Sequence, residues 1–332
     1  MSKTSGIPLS PRPLQDCVQR HGGAVRNNAH GVVRRLVAVT HAGAGDLAPL
    51  LGARYVEDAV AALERGAFLL IEEALADRED VARLPGWFHP HAAWALAELL
   101  DTGDAPADDP MIGEGVTIGR GAVLMPRVRI GNGVTIGPGA VIGDAGFGWA
   151  TGPDGALRAI PQLGGVVIED DVHIGALCTI ASGTLAPTLV KKGVKLDAQV
   201  HVGHNCEIGE GTVIAAQTGL AGSVIVGRGV LMGGQVGVAD HVEIGDGARI
   251  AAKSGVIGDV AAGSTVAGYP AVERHRWLRG LAELYRLAAS RSGSVAPPSR
   301  SSSIPPSSGL PAGVRPEAVI RRTDPPTSAG ES

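Results

Sequence analysis

The feature that most constrains the fold of this chain is a repeat of six residues. From Ile112 to Val256, in three runs, every sixth residue is a large aliphatic side chain. The 21 positions are Ile112, Ile118, Leu124, Ile130, Ile136, Ile142, Ile168, Ile174, Ile180, Val190, Leu196, Val202, Ile208, Ile214, Leu220, Val226, Met232, Val238, Ile244, Ile250 and Val256. Four residues after most of them stands a small or β-branched residue, and glycine often follows the aliphatic, as in Ile136-Gly137. A period of six fits neither a helix nor an ordinary strand, but it fits a prism of short strands with glycine-rich corners.

Three such faces make one coil, so 21 hexads predict about seven coils of a parallel β-helix. Two interruptions divide the repeat. Residues 144–162 break the period and predict a loop that leaves the prism wall. Residues 181–189 shift the phase by four and predict a smaller bulge.

Composition agrees with this architecture and excludes some classes of function. The 49 glycines, against only ten Phe, Trp and Tyr residues, favour tight corners and small interior side chains. A net charge of −4 argues against a nucleic-acid-binding protein. The spacing of Cys17, Cys178 and Cys206 is typical of free thiols in a reducing compartment. With no signal-peptide core and no run of membrane-spanning length, we expect a soluble cytoplasmic protein.

The period also divides the chain into segments. Residues 1–105 lack it and predict a small α/β domain, while residues 106–267 predict the β-helix. Residues 268–290 contain an amphipathic pattern that predicts a C-terminal helix. Residues 291–332 hold ten Ser and eight Pro, a composition that cannot build a core and predicts disorder.

The chemistry of a hexapeptide prism must come from polar residues that break the repeat. Histidines are the candidates. His173 and His201 each precede an inward aliphatic residue, which favours a plain surface role. His204 and His241 instead stand at corners, and the inward valines before them are two coils apart. Because stacked strands lie about 4.8 Å apart, these two imidazoles should lie on one edge, roughly 10 Å apart, too far for a direct hydrogen bond.

This arrangement favours one histidine for proton transfer and the other for holding substrate. Imidazole suits a general base near neutral pH, which acyl transfer from a thioester to an amine or hydroxyl requires. The histidines have no partners at metal-ligand spacing, and the chain lacks a G-x-S-x-G elbow and a phosphate-binding loop. We therefore predict no metal and no cofactor.

The string GDAGFGWATGPDGALRAIPQLGGVVIEDDVHIGALCTI, followed by HVGHNCEIG and GVADHVEIG, resembles the UDP-3-O-(3-hydroxyacyl)glucosamine N-acyltransferases of lipid A biosynthesis. The resemblance covers residues 112–285 and includes the insertion at 144–162. It implies a left-handed β-helix and a homotrimer with active sites between subunits. It also implies that a 3-hydroxyacyl chain passes from acyl carrier protein to the 2-amino group of UDP-3-O-acylglucosamine.

The same resemblance implies roles for individual residues. His204 matches the general base, His241 the second active-site histidine, and Asp197 a polar position in the same cleft. The other substrate-binding residues that it implies are Tyr55, Phe147, Trp149 and Gln162. The residues predicted to bind the carrier protein are Arg274, Arg276 and Arg279.

Two departures from the family's pattern leave other functions open. The family usually has an Asp-Arg pair where this chain has Ala181-Ser182. Its uracil-binding pattern, F-x-x-N-P-x-Y, aligns with residues 49–55, where only Tyr55 is retained, so nucleotide recognition should be weaker. One alternative is a related sugar O- or N-acyltransferase with another acceptor and acetyl-CoA as donor. The other is a trimeric module without turnover.

Overall fold

The computed structural model describes residues 6–103, 108–268 and 274–291. The chain divides after residue 270 into two compact units. The first unit contains a small α/β region and the β-helix, and the described residues of the second form a helix.

The α/β region is a six-stranded mixed sheet with helices. Its strands are Ile7–Pro13, Ala24–Arg26, Val32–Leu36, Asp46–Leu50, Phe68–Glu72 and Gly86–His89, and its helices are Leu14–His21, Val56–Glu64, Glu79–Ala82 and Ala92–Asp101, with 3-10 turns at Ala53–Tyr55 and Glu73–Leu75. The last four strands run parallel, and the first two pair antiparallel at the two edges. Leu69, Leu70 and Ile71 are fully buried, as expected for a central parallel strand covered on both faces.

The β-helix has three faces of short parallel strands. The first face consists of Met111–Ile112, Val128–Ile130, Val166–Ile168, Thr188–Val190, Glu207–Ile208, Ile225–Val226 and Glu243–Ile244. The second face consists of Thr117–Ile118, Thr135–Ile136, His173–Ile174, Lys195–Leu196, Val213–Ile214, Leu231–Met232, Arg249–Ile250 and Thr265–Val266. The third face consists of Val123–Leu124, Val141–Asp144, Thr179–Ala181, His201–Val202, Gly219–Leu220, Gly237–Val238 and Gly255–Val256.

The interior of the prism contains the aliphatic ladder that the period predicted. Ile180, Val202 and Leu220 stack in register on the third face and are fully buried, and Cys206 and Val224, four residues after Val202 and Leu220, are buried as well. Where that position is Cys or Thr, the side chain donates to a carbonyl of the next coil, as Cys206 Sγ does to Ala221 O at 3.1 Å. The predicted fold class, a left-handed parallel β-helix with a small N-terminal α/β region, is confirmed.

Glycine follows the inward aliphatic because the next coil passes directly below it. A Cβ at Gly137 would lie 2.5 Å from Ala176 N and 2.6 Å from Gly175 C, both of them backbone atoms. We expect Gly137→Ala to lower the free energy of unfolding by roughly 1–3 kcal/mol, because the backbone must shift to make room. Gly237→Ala is the control, since its Cβ would meet nothing within 4 Å. Urea denaturation measures both variants, and equal stability of the two would contradict this account of the corners.

Both interruptions of the period contact the α/β region. Residues 144–162 contain an antiparallel hairpin of Trp149–Thr151 and Leu157–Ala159. Arg158 in this hairpin pairs with Glu98 and Asp101 of the last helix of the α/β region and lies over the Trp94 ring, 5.4 Å from its centroid. In the bulge, Leu185 is buried in the α/β core. These contacts hold the insertion and the bulge at defined positions beside the prism.

The second unit is described over the helix Arg274–Arg291, which presents Leu284, Tyr285 and Leu287 to solvent. The disorder predicted for residues 291–332 falls outside the described residues, apart from Arg291 at the helix end. Within the described part of the chain, no helix has the length and apolar character that a membrane crossing needs.

Candidate active site

His204 and His241 lie on the same edge of the prism, where the chain passes from the third face to the first. We call this corner the histidine edge. Val202, Leu220 and Val238 are in register on consecutive strands of the third face. The two histidines follow the first and the last of these residues, so they are two coils apart on one edge.

The His204 side chain lies in a slot between two glycines. A Cβ at Gly146, in the insertion, would lie 2.5 Å from His204 Cβ. A Cβ at Gly222, one coil further along the histidine edge, would lie 2.5 Å from His204 Nε2. The space on both sides of this imidazole therefore depends on the absence of side chains at these two positions.

Asn205 determines which nitrogen of His204 carries the proton. Its Oδ1 lies 3.1 Å from His204 Nδ1 and accepts the Thr184 backbone N–H at 3.2 Å, while its Nδ2 donates to Ala186 O at 3.3 Å. Thr184 and Ala186 belong to the bulge at 181–189, so the bulge holds the Asn205 amide with its oxygen toward the imidazole. An amide oxygen can only accept, so Nδ1 of the neutral ring holds the proton and Nε2 keeps its lone pair. Nε2 is the atom that faces the space beside Gly222, and it is the atom that a general base would use.

Two neighbours of His204 are poor candidates for the chemistry. Burial raises the pKa of Cys206 to about 12, so this thiol is not a ready nucleophile at neutral pH. His201 faces outward and lies 2.7 Å from the Thr179 hydroxyl. Burial, and to a lesser extent His204, lowers the His201 pKa, which favours the neutral ring.

His241 is held by the α/β region of the same chain. The Tyr55 hydroxyl lies 3.0 Å from His241 Nδ1, and the two rings meet edge to face with centroids 6.1 Å apart. Arg54 Nη1 donates to the His241 carbonyl at 2.8 Å. Burial lowers the pKa of His241, with a further contribution from the Arg54 charge, and burial raises the pKa of Tyr55. Both side chains are therefore neutral at pH 7.

A cavity of about 410 Å³ adjoins His241. Its lining residues are Arg54, Asp240, His241, Val242, Glu243, Ile257, Gly258 and Asp259. The lining combines one guanidinium with three carboxylates and an exposed aliphatic side chain. Among the residues that the structure describes, no group of three or more His, Cys, Asp or Glu side chains is arranged to hold a metal ion.

The remaining predicted site residues lie in different surroundings. Asp197 is exposed on another edge, where the second face meets the third. Gln162 is buried, and its amide is bonded to Ile160 O and the Thr184 hydroxyl, so it supports the loop. Phe147 and Trp149 are 89% and 51% exposed beside Gly146 and contact each other edge to face.

The predicted carrier-protein residues belong to the helix of the second unit. Arg279 is exposed there. The side chains of Arg274 and Arg276 lie outside the described part of the structure.

Sequence reasoning missed four residues of this site: Gly146, Gly222, Asn205 and Arg54. A signal existed for two of them. Asn205 is the next residue after His204, and Gly222 is displaced from His204 by 18 residues, which is one coil. No spacing connects Gly146 or Arg54 with the histidines.

Comparison with known proteins finds a family model and several relatives that are similar to parts of this chain. The family model described as bacterial transferase hexapeptide (six repeats) matches residues 109–144 and 187–222. The UDP-3-O-acylglucosamine N-acyltransferase of Caulobacter vibrioides (strain NA1000 / CB15N) is 43% identical over 181 residues, 54% of this chain and 48% of that protein. The enzyme of the same name from Anaeromyxobacter dehalogenans (strain 2CP-1 / ATCC BAA-258) is 42% identical over 194 residues, 57% of this chain and 55% of that protein.

Among solved structures, the UDP-N-acetylglucosamine acyltransferase from Campylobacter jejuni aligns with a TM-score of 0.41 and 22% identity, over 56% of this chain and 82% of that one. The chain spans about half the length of the curated relatives it matches. This chain contains hexapeptide repeats and is similar, over about half its length, to the UDP-3-O-acylglucosamine N-acyltransferases.

Proposed function

We propose that this chain is an N-acyltransferase that moves a 3-hydroxyacyl chain from acyl carrier protein to the 2-amino group of UDP-3-O-acylglucosamine in lipid A biosynthesis, with His204 as general base. The observation that carries the proposal is the environment of His204. Asn205 holds the proton on Nδ1, and Gly222 leaves Nε2 uncovered. The names of the relatives supply the reaction class.

The proposed reaction uses the lone pair on His204 Nε2. His204 Nε2 takes a proton from the acceptor amine as its nitrogen attacks the thioester carbonyl. The tetrahedral intermediate then collapses, the C–S bond breaks, and the imidazolium returns the proton to the departing thiolate. The products are an amide and a free thiol. A base at this position must come within about 2.6–3.2 Å of the proton donor, and the absence of a side chain at Gly222 permits that approach.

The arrangement of the edges supports a homotrimer with the site between copies. Asp197 and His204 lie on different edges of one prism. We propose that the histidine edge of one copy faces the Asp197 edge of the next, which brings both residues into one cleft and repeats it three times. Light scattering tests the assembly, and a monomer at micromolar concentration would refute it.

The remaining assignments are part of the same proposal. Phe147 and Trp149, exposed near His204, would contact the acyl substrates. Arg274, Arg276 and Arg279 would meet the acidic carrier protein. We place the reaction in the cytoplasm, in keeping with the three buried cysteines, which form no disulfide.

The region around Tyr55 supports a second candidate, a related sugar O- or N-acyltransferase with an altered acceptor. Pro49 and Gly52 stand where the resemblance calls for an aromatic ring and an amide. Tyr55 is already bonded to His241. An acceptor without UDP, or acetyl-CoA as donor, would follow if nucleotide recognition has been lost.

Mass spectrometry of the products decides between the two candidates. The purified protein is incubated with 3-hydroxyacyl carrier protein or acetyl-CoA, and with UDP-3-O-acylglucosamine or the sugar lacking UDP. Amide formation only with the carrier protein and the UDP-linked acceptor supports the proposed function. Product with acetyl-CoA or the nucleotide-free sugar supports the second candidate. No product in any arm would contradict both acyltransferase candidates, and a trimeric module without turnover would be the remaining alternative.

A further inference from the structure

Two consecutive residues of the α/β region, Arg54 and Tyr55, bind one histidine of the β-helix by two independent hydrogen bonds. Arg54 holds the backbone carbonyl of His241 at 2.8 Å, and Tyr55 holds the side-chain Nδ1 at 3.0 Å. The edge-to-face contact of the rings adds a third constraint. Both residues come from a single 3-10 turn, Ala53–Tyr55, so they move as one element.

The Tyr55 bond defines the chemistry of the His241 ring. A phenol hydroxyl donates more readily than it accepts, and the Tyr55 proton is retained because burial raises its pKa. The hydroxyl therefore donates to Nδ1, and the neutral imidazole carries its own proton on Nε2. This is the reverse of His204, whose proton is on Nδ1. The site thus contains one histidine that accepts a proton and one that donates a hydrogen bond.

The charges around His241 support the neutral ring. Burial disfavours a positive charge on this ring most strongly, and the charge of Arg54 and, to a lesser extent, His204 act in the same direction. Asp240 opposes this effect, and Glu243 and Asp259 face the same cavity. The pKa of His241 lies below its ordinary value of about 6.5, so the effects that disfavour the charged form dominate.

We propose that Arg54 and Tyr55 are positioning residues that hold His241 with its Nε2–H available as a hydrogen-bond donor to a substrate oxygen in the adjoining cavity. Tyr55 acts through His241, and because the Tyr55 hydroxyl is bonded to that histidine it is not available to bind a nucleotide base. The consequence for turnover rests on the proposed acyl transfer, whereas the geometry does not. In this proposal Arg54 positions His241, a role that the uracil-binding pattern F-x-x-N-P-x-Y does not specify for this position.

NMR of histidine-labelled protein tests the tautomer without any substrate. The His241 ring signals are assigned by their loss in His241→Gln. We expect the proton on Nε2 in the unaltered chain, and a mixture of tautomers in Tyr55→Phe, which loses only the hydroxyl and keeps the ring contact. A proton on Nδ1 in the unaltered chain, or an unchanged tautomer in Tyr55→Phe, would overturn the proposal.

Titration of the same signals tests Arg54. Arg54→Gln removes the charge but keeps a donor for the carbonyl, so the pKa of His241 should rise and the ring should become protonated at a higher pH. A protonated Nδ1 cannot accept from Tyr55, so the bond should also break at a higher pH. Arg54→Lys retains the charge and is the control. Equal titration of all three proteins would contradict the role of Arg54.

Kinetics then connects the geometry to the proposed reaction. Loss of one neutral hydrogen bond in Tyr55→Phe should lower kcat about three- to tenfold with little change in the KM for the nucleotide substrate. A raised KM with unchanged kcat and an unchanged tautomer would make Tyr55 a nucleotide-binding residue and overturn the proposal. If the unaltered chain shows no transfer at all, the proposed function fails, while the NMR result still decides whether Tyr55 positions His241.

Discussion

His204→Ala is expected to reduce acyl transfer by about 10²–10⁴-fold, the usual cost of removing a general base. The fold should remain intact, because His204 lies at a corner and does not belong to the buried ladder of the prism. Neither neighbour described above replaces the lost imidazole, since Cys206 is a protonated thiol and His201 faces outward beside Thr179. Single-turnover rates with acyl carrier protein measure the effect.

His173→Ala is the matched control for this variant. His173 is an exposed histidine on the second face, in the strand His173–Ile174, and it takes no part in the site. It should leave both the rate and the melting temperature unchanged. Near-full activity of His204→Ala, with a normal melting temperature, would show that His204 is not the base.

Gly222→Ala is expected to reduce transfer by about 10²-fold, although it alters neither histidine. Its methyl group would lie 2.5 Å from His204 Nε2, closer than any normal contact. Either the imidazole shifts or the acceptor amine is excluded, and a misplacement of about 1 Å at a reacting centre can cost about 10²-fold. Gly222 has no left-handed backbone requirement, so alanine should be tolerated by the fold. The melting temperature and the single-turnover rate test these two expectations separately.

A double-mutant cycle gives the cause of this loss. If Gly222→Ala acts by covering Nε2, it should cost little further activity in a chain that already carries His204→Ala. The two single effects would then be far from additive. Full additivity, or full activity of Gly222→Ala alone, would contradict the assignment of Nε2 as the reactive atom.

The hexapeptide period by itself determined the body of the molecule. Each coil repeats the one before it at a fixed translation, so the position of a residue along the period determines its face and its height. For that reason the spacing of Val202 and Val238 sufficed to place His204 and His241 on one edge. The same regularity predicted which side chains fill the interior, from Ile130 to Val256.

Only the tertiary structure decided what surrounds the two histidines. Tyr55 is 186 residues from His241 in the chain, and Gly146 lies in a segment that breaks the period. Their positions depend on how the α/β region packs against the prism, through buried Leu185 and the contacts of Arg158 with the helix Ala92–Asp101. Such packing depends on the shapes of two surfaces that are distant in sequence, and no local spacing encodes it. The bulge likewise orients Asn205, so the position of the proton on His204 depends on packing, whereas the location of His204 follows from the repeat.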